Sequence, residues 1–171
     1  MALYVYKFGG TSVGSVERIK SVAEKVKKAH GSGDQIVVVV SAMSGETNRL
    51  VALAKEMQTQ PTDREMDVLL STGEQVTISL LCMALHNLGC DASSYTGGQV
   101  KILTDSSHTK ARIREIEDAK MRVDLNAGKV VVVAGFQGVD VHGNITTLGR
   151  GGSETTAVAL AAVLKADEGH I

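Results

Sequence analysis

Two runs of β-branched residues constrain what this chain can fold into more than anything else in its 171 residues. Ile36-Val37-Val38-Val39-Val40 and Val130-Val131-Val132-Val133-Ala134 are apolar at every position. A strand with one wet face alternates apolar and polar residues, whereas a strand covered on both faces does not. The two runs therefore predict central strands of a parallel sheet with helices on either side. Leu3 to Phe8 reads as another buried strand and Asp91 to Tyr95 as a weaker one.

Helical periodicity fills the intervals. Ser15 suits an N-cap, with Glu17 in the first turn; Val16, Ile19, Ala23 and Val26 make an inward face that ends at Gly31 and Gly33. Leu50, Val51, Ala54 and Met57 make a second inward face, closed by Pro61. Thr62 and Glu65 form a capping box opening the longest helical pattern. Its apolar face takes Met66, Leu69, Leu70, Val76, Leu80, Leu81, Ala84, Leu85 and Leu88. Arg112 to Val123 reads as a helix with Ile113, Ile116 and Val123 inward. A final helix buries Val158, Leu160, Ala161 and Leu164 before Asp167-Glu168-Gly169 stops it, and Ile171 opens a further strand. His142-Gly143-Asn144 is a hairpin cue inside Val139 to Thr147, which makes His142 a turn residue. Strands alternating with helices give an α/β fold, a mainly parallel sheet flanked by helices, in one domain.

In an open parallel sheet the carboxyl ends of the strands share one edge, and ligands bind there. Three glycine-bearing turns are expected at that edge. Lys7-Phe8-Gly9-Gly10-Thr11-Ser12 follows the first strand, Ser41 to Asn48 the second, and Gly135-Phe136-Gln137-Gly138 the run ending at Ala134. A strand that empties through glycines into a helix offers backbone N–H groups and a helix dipole to a phosphate, and Lys7 adds a mobile charge. The lysine precedes the glycines, so this is neither a Walker loop nor the Gly-x-Gly-x-x-Gly fingerprint. Sterics alone could also call for two glycines in such a turn. Gly73 costs a helix interior about 1 kcal/mol against alanine. Beside Glu74 it signals either close approach of another segment or tight helix packing with Glu74 in water.

Composition removes several function classes. Net charge is −1, with two Phe, three Tyr and no Trp, which argues against nucleic-acid binding. Cys82 and Cys90 have no metal-type spacing, so no metal centre is expected. No signal peptide is legible, and the apolar run Leu80 to Leu85 falls short of a membrane span. A cytoplasmic protein with reduced thiols is expected.

The ordered set Lys-Phe-Gly-Gly-Thr-Ser (7–12), Val-Ser-Ala-Met-Ser-Gly-Glu-Thr-Asn (40–48), Ser-Thr-Gly-Glu-Gln (71–75), Gly-Phe-Gln-Gly (135–138) and Thr-Thr-Leu-Gly-Arg-Gly-Gly-Ser (146–153) resembles the amino-acid kinase family, and within it the aspartokinases. The resemblance implies an α/β/α sandwich and transfer of the ATP γ-phosphoryl group, with Mg2+ accompanying the nucleotide. The acceptor would be the side-chain carboxylate of L-aspartate, giving 4-phospho-L-aspartate, a first step toward lysine, threonine and methionine. It implies catalytic roles for Lys7 and Glu154, and a phosphate site at Lys7, Phe8, Gly9 and Gly10. It implies a substrate site of Ser41, Thr47, Glu74, Arg150, Gly151, Gly152 and Ser153, with Arg150 gripping the α-carboxylate and Glu74 pairing with the α-ammonium.

Two departures from the family pattern stand out. Glu154 occupies the position where the family carries aspartate; its extra methylene moves the carboxylate by roughly an ångström or more, and a displacement of that order can cost about 100-fold in rate. Family members also continue into nucleotide-holding strands and ACT regulatory domains, so the expectation is a single incomplete domain, residues 1–171, truncated before the nucleotide-binding half. An uncovered sheet edge would favour a homo-oligomer or association with an ACT-bearing chain. A non-catalytic aspartate-binding or subunit-interaction fragment, and a related kinase acting on glutamate or a nucleoside monophosphate, are the alternatives.

Overall fold

The computed structural model describes residues 1–170. The elements run β1 (Leu3–Phe8), α1 (Val16–His30), β2 (Gln35–Val40), α2 (Glu46–Met57), α3 (Asp63–Asn87), β3 (Ala92–Tyr95), β4 (Ile102–Thr104), β5 (Ile113–Ile116), α4 (Ala119–Asn126), β6 (Val130–Ala134), β7 (Gln137–Val139), β8 (Ile145–Thr147), α5 (Gly152–Leu164) and β9 (Glu168–His170). The first sheet has the order β3-β6-β2-β1-β9 and every pairing in it is parallel.

The valine runs behave as their lack of alternation predicts. Val38, Val40, Val130 and Val132 face a core built with α1 and α3. Val37, Val39, Val131 and Val133 face a second core built with α4 and α5. All eight are fully buried, so each strand contributes to two hydrophobic cores at once.

A second sheet, order β5-β4-β7-β8, is not legible in the sequence beyond its β7–β8 hairpin. It also corrects the expected helix over Arg112 to Val123, whose first half is β5. Register shifts between Leu103 and Thr104, so that Leu103 faces Glu115 while Thr104 faces Ile113. A bulge of this kind lets two residues three apart, Ile113 and Ile116, share a face, and that spacing mimics a helix.

Other expectations need correction. Val76, Val123 and Val158, expected inward, are 47%, 67% and 62% exposed. Each lies two residues from a buried position of its own helix (Glu74, Met121 and Leu160), which at 3.6 residues per turn puts it about 200° away. Val16 and Met57 are exposed in terminal turns. The capping box is not made: Thr62 gives both its N–H and its hydroxyl to Gln58 Oε1, and Glu65 pairs with Arg64. Asp167-Glu168-Gly169 does not stop the last helix, which ends at Leu164 on a left-handed Lys165. Glu168–His170 instead pairs with Tyr4–Tyr6 as β9. The expectation for Ile171 lies outside the described residues.

At 25 residues, α3 is long and apolar enough to cross a membrane by composition, although its longest uninterrupted apolar run is short. It packs against α1, α2, β3, β6 and β8 and buries Asp67, Ser71, Glu74 and Thr77. These partners make it the central helix of the globular core.

Candidate functional site

The turns leaving β1, β2 and β6 are stitched together at the carboxyl edge of the first sheet. Ser41 N–H donates to the Phe8 carbonyl, Ser44 N–H to the Gly10 carbonyl, and Gly135 N–H to the Val40 carbonyl. Close approach explains two of the glycines. A Cβ on Gly10 would lie 3.1 Å from the Ala42 carbonyl oxygen, and one on Gly135 would lie 2.7 Å from Ser153 Oγ. The Ser153 hydroxyl thus reaches the Ser41 hydroxyl, 3.0 Å away, and ties the start of α5 to the end of β2.

Between these turns and α3 lies a cavity of about 390 Å³. Of the residues singled out in the sequence, Lys7, Gly10, Ser41, Thr47, Glu74, Gly151, Gly152, Ser153 and Glu154 line it. Phe8 and Gly9 do not: Phe8 turns away to stack on Tyr6. Gly9 lies under Lys7, with its Cβ position 3.3 Å from Lys7 Nζ. Arg150 is exposed and lines an adjoining cavity with Lys110 and Arg112, separated from the first by a wall of Gly151 and Glu154 that both share. Left-handed backbone at Gly149 and Gly151, φ 82° and 71°, brackets Arg150.

The helix that faces the site is not the one the glycine turn suggests. Ser15 caps α1 by accepting the Arg18 N–H at 3.2 Å, and the first turn of α1 borders a separate apolar groove beside α3. The cavity is instead met by the N-termini of α2 and α5. Both begin on a left-handed glycine, Gly45 (φ 84°) and Gly151 (φ 71°), and neither has a side-chain cap. Two helix N-termini without a side-chain cap, together with Lys7, make an anion-favouring wall. Phe136 adds a left-handed non-glycine residue (φ 75°) against Gly152, and such backbone costs about 1–3 kcal/mol and gathers at functional sites.

The opposite wall is acidic. Glu74 is only 2% exposed. A Cβ on Gly73 would come within 2.8 Å of the Ala42 Cβ, so the segment that approaches this helix turn is the loop after β2. The alternative that leaves Glu74 in water is overturned. Gln137 Nε2 donates to Glu74 Oε1 at 2.9 Å. Burial pushes the Glu74 carboxyl up to about 8, against the opposing pull of Gln137 and of the backbone at Glu74 and Ala42. A nearly desolvated carboxylate of this kind gains most when a cation arrives beside it.

Sequence reasoning missed two residues behind this wall. Gln137 lies in a quoted motif, but its role depends on partners more than 60 positions away. Asp67, fully buried, accepts from His108 Nδ1, Thr109 N–H, Thr147 N–H and the Thr147 hydroxyl. Its i, i+7 relation to Glu74, an acid recurring on one apolar helix face, is the signal that could have found it. Among the described residues, no three His, Cys, Asp or Glu side chains cluster to hold a metal.

Comparison with known proteins gives one consistent answer. The chain is 71% identical to an aspartate kinase of Pseudomonas putida over 171 residues, all of this chain and 42% of that protein. It is 58% identical to aspartokinase 2 of Bacillus subtilis over 168 residues, 98% of this chain and 41% of that one. It therefore spans about two fifths of the length of these curated relatives. Its fold superimposes on an aspartate kinase from Synechocystis with a TM-score of 0.86 at 52% identity, covering 98% of this chain and 27% of that one. Against E. coli aspartokinase III, crystallised with aspartate and ADP, the TM-score is 0.87 at 26% identity, over 98% of this chain and 48% of that one. The sequence profile of the amino acid kinase family matches residues 2–169, nearly the whole chain, and the protein is a member of that family.

Proposed function

We propose that this chain is the amino-acid-binding and phosphate-facing part of an aspartate kinase, transferring the ATP γ-phosphoryl group to the side-chain carboxylate of L-aspartate. The observation that carries the reading is one cavity with a buried, cation-seeking Glu74 on one wall and Lys7 with two helix N-termini on the other. A molecule with an ammonium group and carboxylates matches that polarity.

Each role follows from the chemistry of the group. The acceptor carboxylate is already a nucleophile, so no general base is required; the site's task is to bring two anions together and neutralise the transferring phosphoryl oxygens. Lys7 and the N-termini of α2 and α5 supply that neutralisation. Glu74 receives the α-ammonium, and Ser41, Thr47 and Ser153 offer hydroxyls to the remaining polar atoms. Arg150 lines the adjoining cavity and would have to swing over the Gly151–Glu154 wall to offer the α-carboxylate the bidentate grip its planar fork suits. The donors present are N–H groups, hydroxyls and an ammonium, which suit phosphate; Mg2+ would arrive on the nucleotide, held by phosphate oxygens and water as that ion prefers. The same reading sets the product on the route toward lysine, threonine and methionine, in the cytoplasm. Association with a second copy or an ACT-bearing chain would cover the exposed strand β9 at the sheet edge.

Calorimetric titration of L-aspartate into the chain and its Glu74→Gln variant tests the substrate, with a loss of about 10- to 100-fold expected from removing a charge-assisted bond. Equal affinities would overturn it. Coupled ADP release then tests the reaction: Lys7→Ala abolishes turnover and spares aspartate binding. A second reading, binding without turnover, is supported by Glu154, which lines the cavity at the position where the family pattern carries aspartate. Aspartate bound but no ADP released, by this chain and by Glu154→Asp alike, would select that reading.

A further inference from the structure

The amide of Gln137 is held by three hydrogen bonds. It is 3% exposed, and its Oε1 accepts the Gly97 N–H at 3.3 Å. Its Nε2 donates to the Ser71 carbonyl and to Glu74 Oε1, both at 2.9 Å. Directly across the β7–β8 ladder stands Thr147, itself bound to Asp67. An amide can be reversed in place only if its neighbours tolerate the exchange. Here a backbone donor fixes the oxygen end and a backbone acceptor fixes the nitrogen end, so the group presented to Glu74 is a donor.

We propose that Gln137 is a positioning residue for Glu74, orienting its carboxylate and favouring the ionised form that receives a ligand ammonium. The proposal rests on the reading of Glu74 as the ammonium partner and adds what makes that acid usable in a desolvated wall. A donor aimed at a carboxylate stabilises the charged form against burial. The other charged groups around Glu74 are Lys7 of β1 and Glu154 of α5 across the cavity, the Glu46–Arg49 pair of α2 near Gly73, and the Asp67–His108 pair one face-repeat earlier on α3. Only Gln137 gives Glu74 a side-chain hydrogen bond among the described residues.

Gln137→Met keeps the length and removes the donor. The first readout needs no ligand: the titration of the Glu74 carboxyl, followed by carbon-13 NMR in wild type and variant, moves to higher pH in Gln137→Met. An unmoved midpoint in the folded variant overturns the proposal. The second readout is L-aspartate affinity against pH. In wild type it rises to a plateau near the Glu74 midpoint; in the variant the rise is displaced upward and affinity at neutral pH falls about tenfold. A uniform loss at every pH would mark Gln137 as merely structural. The double variant Glu74→Gln/Gln137→Met separates the causes if Gln137→Met is destabilised. A residue acting through Glu74 costs no further affinity once Glu74 is neutral, and additive losses would contradict the assignment. Absence of aspartate binding by the wild type would sink the functional reading and leave the ligand-free titration to decide the role of Gln137.

Discussion

Asp67 and Glu74 lie seven residues apart on one face of α3, both essentially without exposure, and they do opposite things. Asp67 is saturated. Four donors from His108, Thr109 and Thr147 converge on its two oxygens, and it clasps the second sheet to α3. Glu74 has one side-chain donor, Gln137, with the backbone at Glu74 and Ala42 nearby, and an open cavity in front of it. A carboxylate accepts about four hydrogen bonds, so the first has used its capacity within the fold while the second retains some for a guest. Burial alone does not distinguish a structural acid from a ligand-binding one; the count of donors does.

The contrast breaks most visibly at Asp67. Asp67→Ala strands buried donors, including the Thr147 pair and the His108 ring. Loss of about 3–5 kcal/mol is expected from breaking a buried pair, read as a lowered urea midpoint, with binding failing only as the fold fails. A variant as stable as wild type would contradict the clasp.

Glu74→Gln should do the reverse, costing ligand and leaving the fold. The raised carboxyl also gives a pH signature. Native Glu74 holds its proton up to about 8, whereas an unfolded glutamate releases it near 4.3. Between those values the native state binds more protons than the unfolded one, so this group makes stability fall as pH rises through the window. Below the unfolded value and above the native one its contribution is flat. Urea unfolding at pH values across the window should therefore show a decline in wild type that is shallower in Glu74→Gln, and parallel profiles would refute the placement.

Gly73→Ala tests the close approach that keeps Glu74 at the cavity. The added methyl meets Ala42 Cβ at 2.8 Å; overpacking of about 1–3 kcal/mol outweighs a helix-propensity gain of about 1, and aspartate affinity falls with the displaced β2 loop. A stabilised variant with full affinity would show the contact to be slack. Smallest is Ser15→Ala. Removing the cap of α1 costs about 1 kcal/mol but leaves aspartate affinity untouched, since α1 does not open on the cavity. An affinity change would restore α1 to the site.

What is legible in the sequence is what local pattern carries. Unbroken valine runs give both cores, and a glycine in a helix beside a glutamate flags an intimate contact. What escapes depends on distant partners. Gln137 meets Glu74 from 63 positions away and Thr147 meets Asp67 from 80, and no periodicity records such meetings. β5 is hidden because a bulge imitates helical spacing. The starts of α2 and α5 carry expected site residues, Thr47 and Gly151 to Ser153; that their N-termini and not that of α1 meet the cavity is hidden, because a serine that caps α1 looks the same whether its helix faces a ligand or water.

The claim at the centre is that Glu74 stands protonated and waiting until an ammonium ion arrives. Calorimetric titration of L-aspartate near pH 7 in two buffers of different ionisation enthalpy measures the protons released on binding. With the carboxyl at about 8 in the free protein, release of about one proton is expected, and none from Glu74→Gln. Binding that releases no proton in wild type would contradict it.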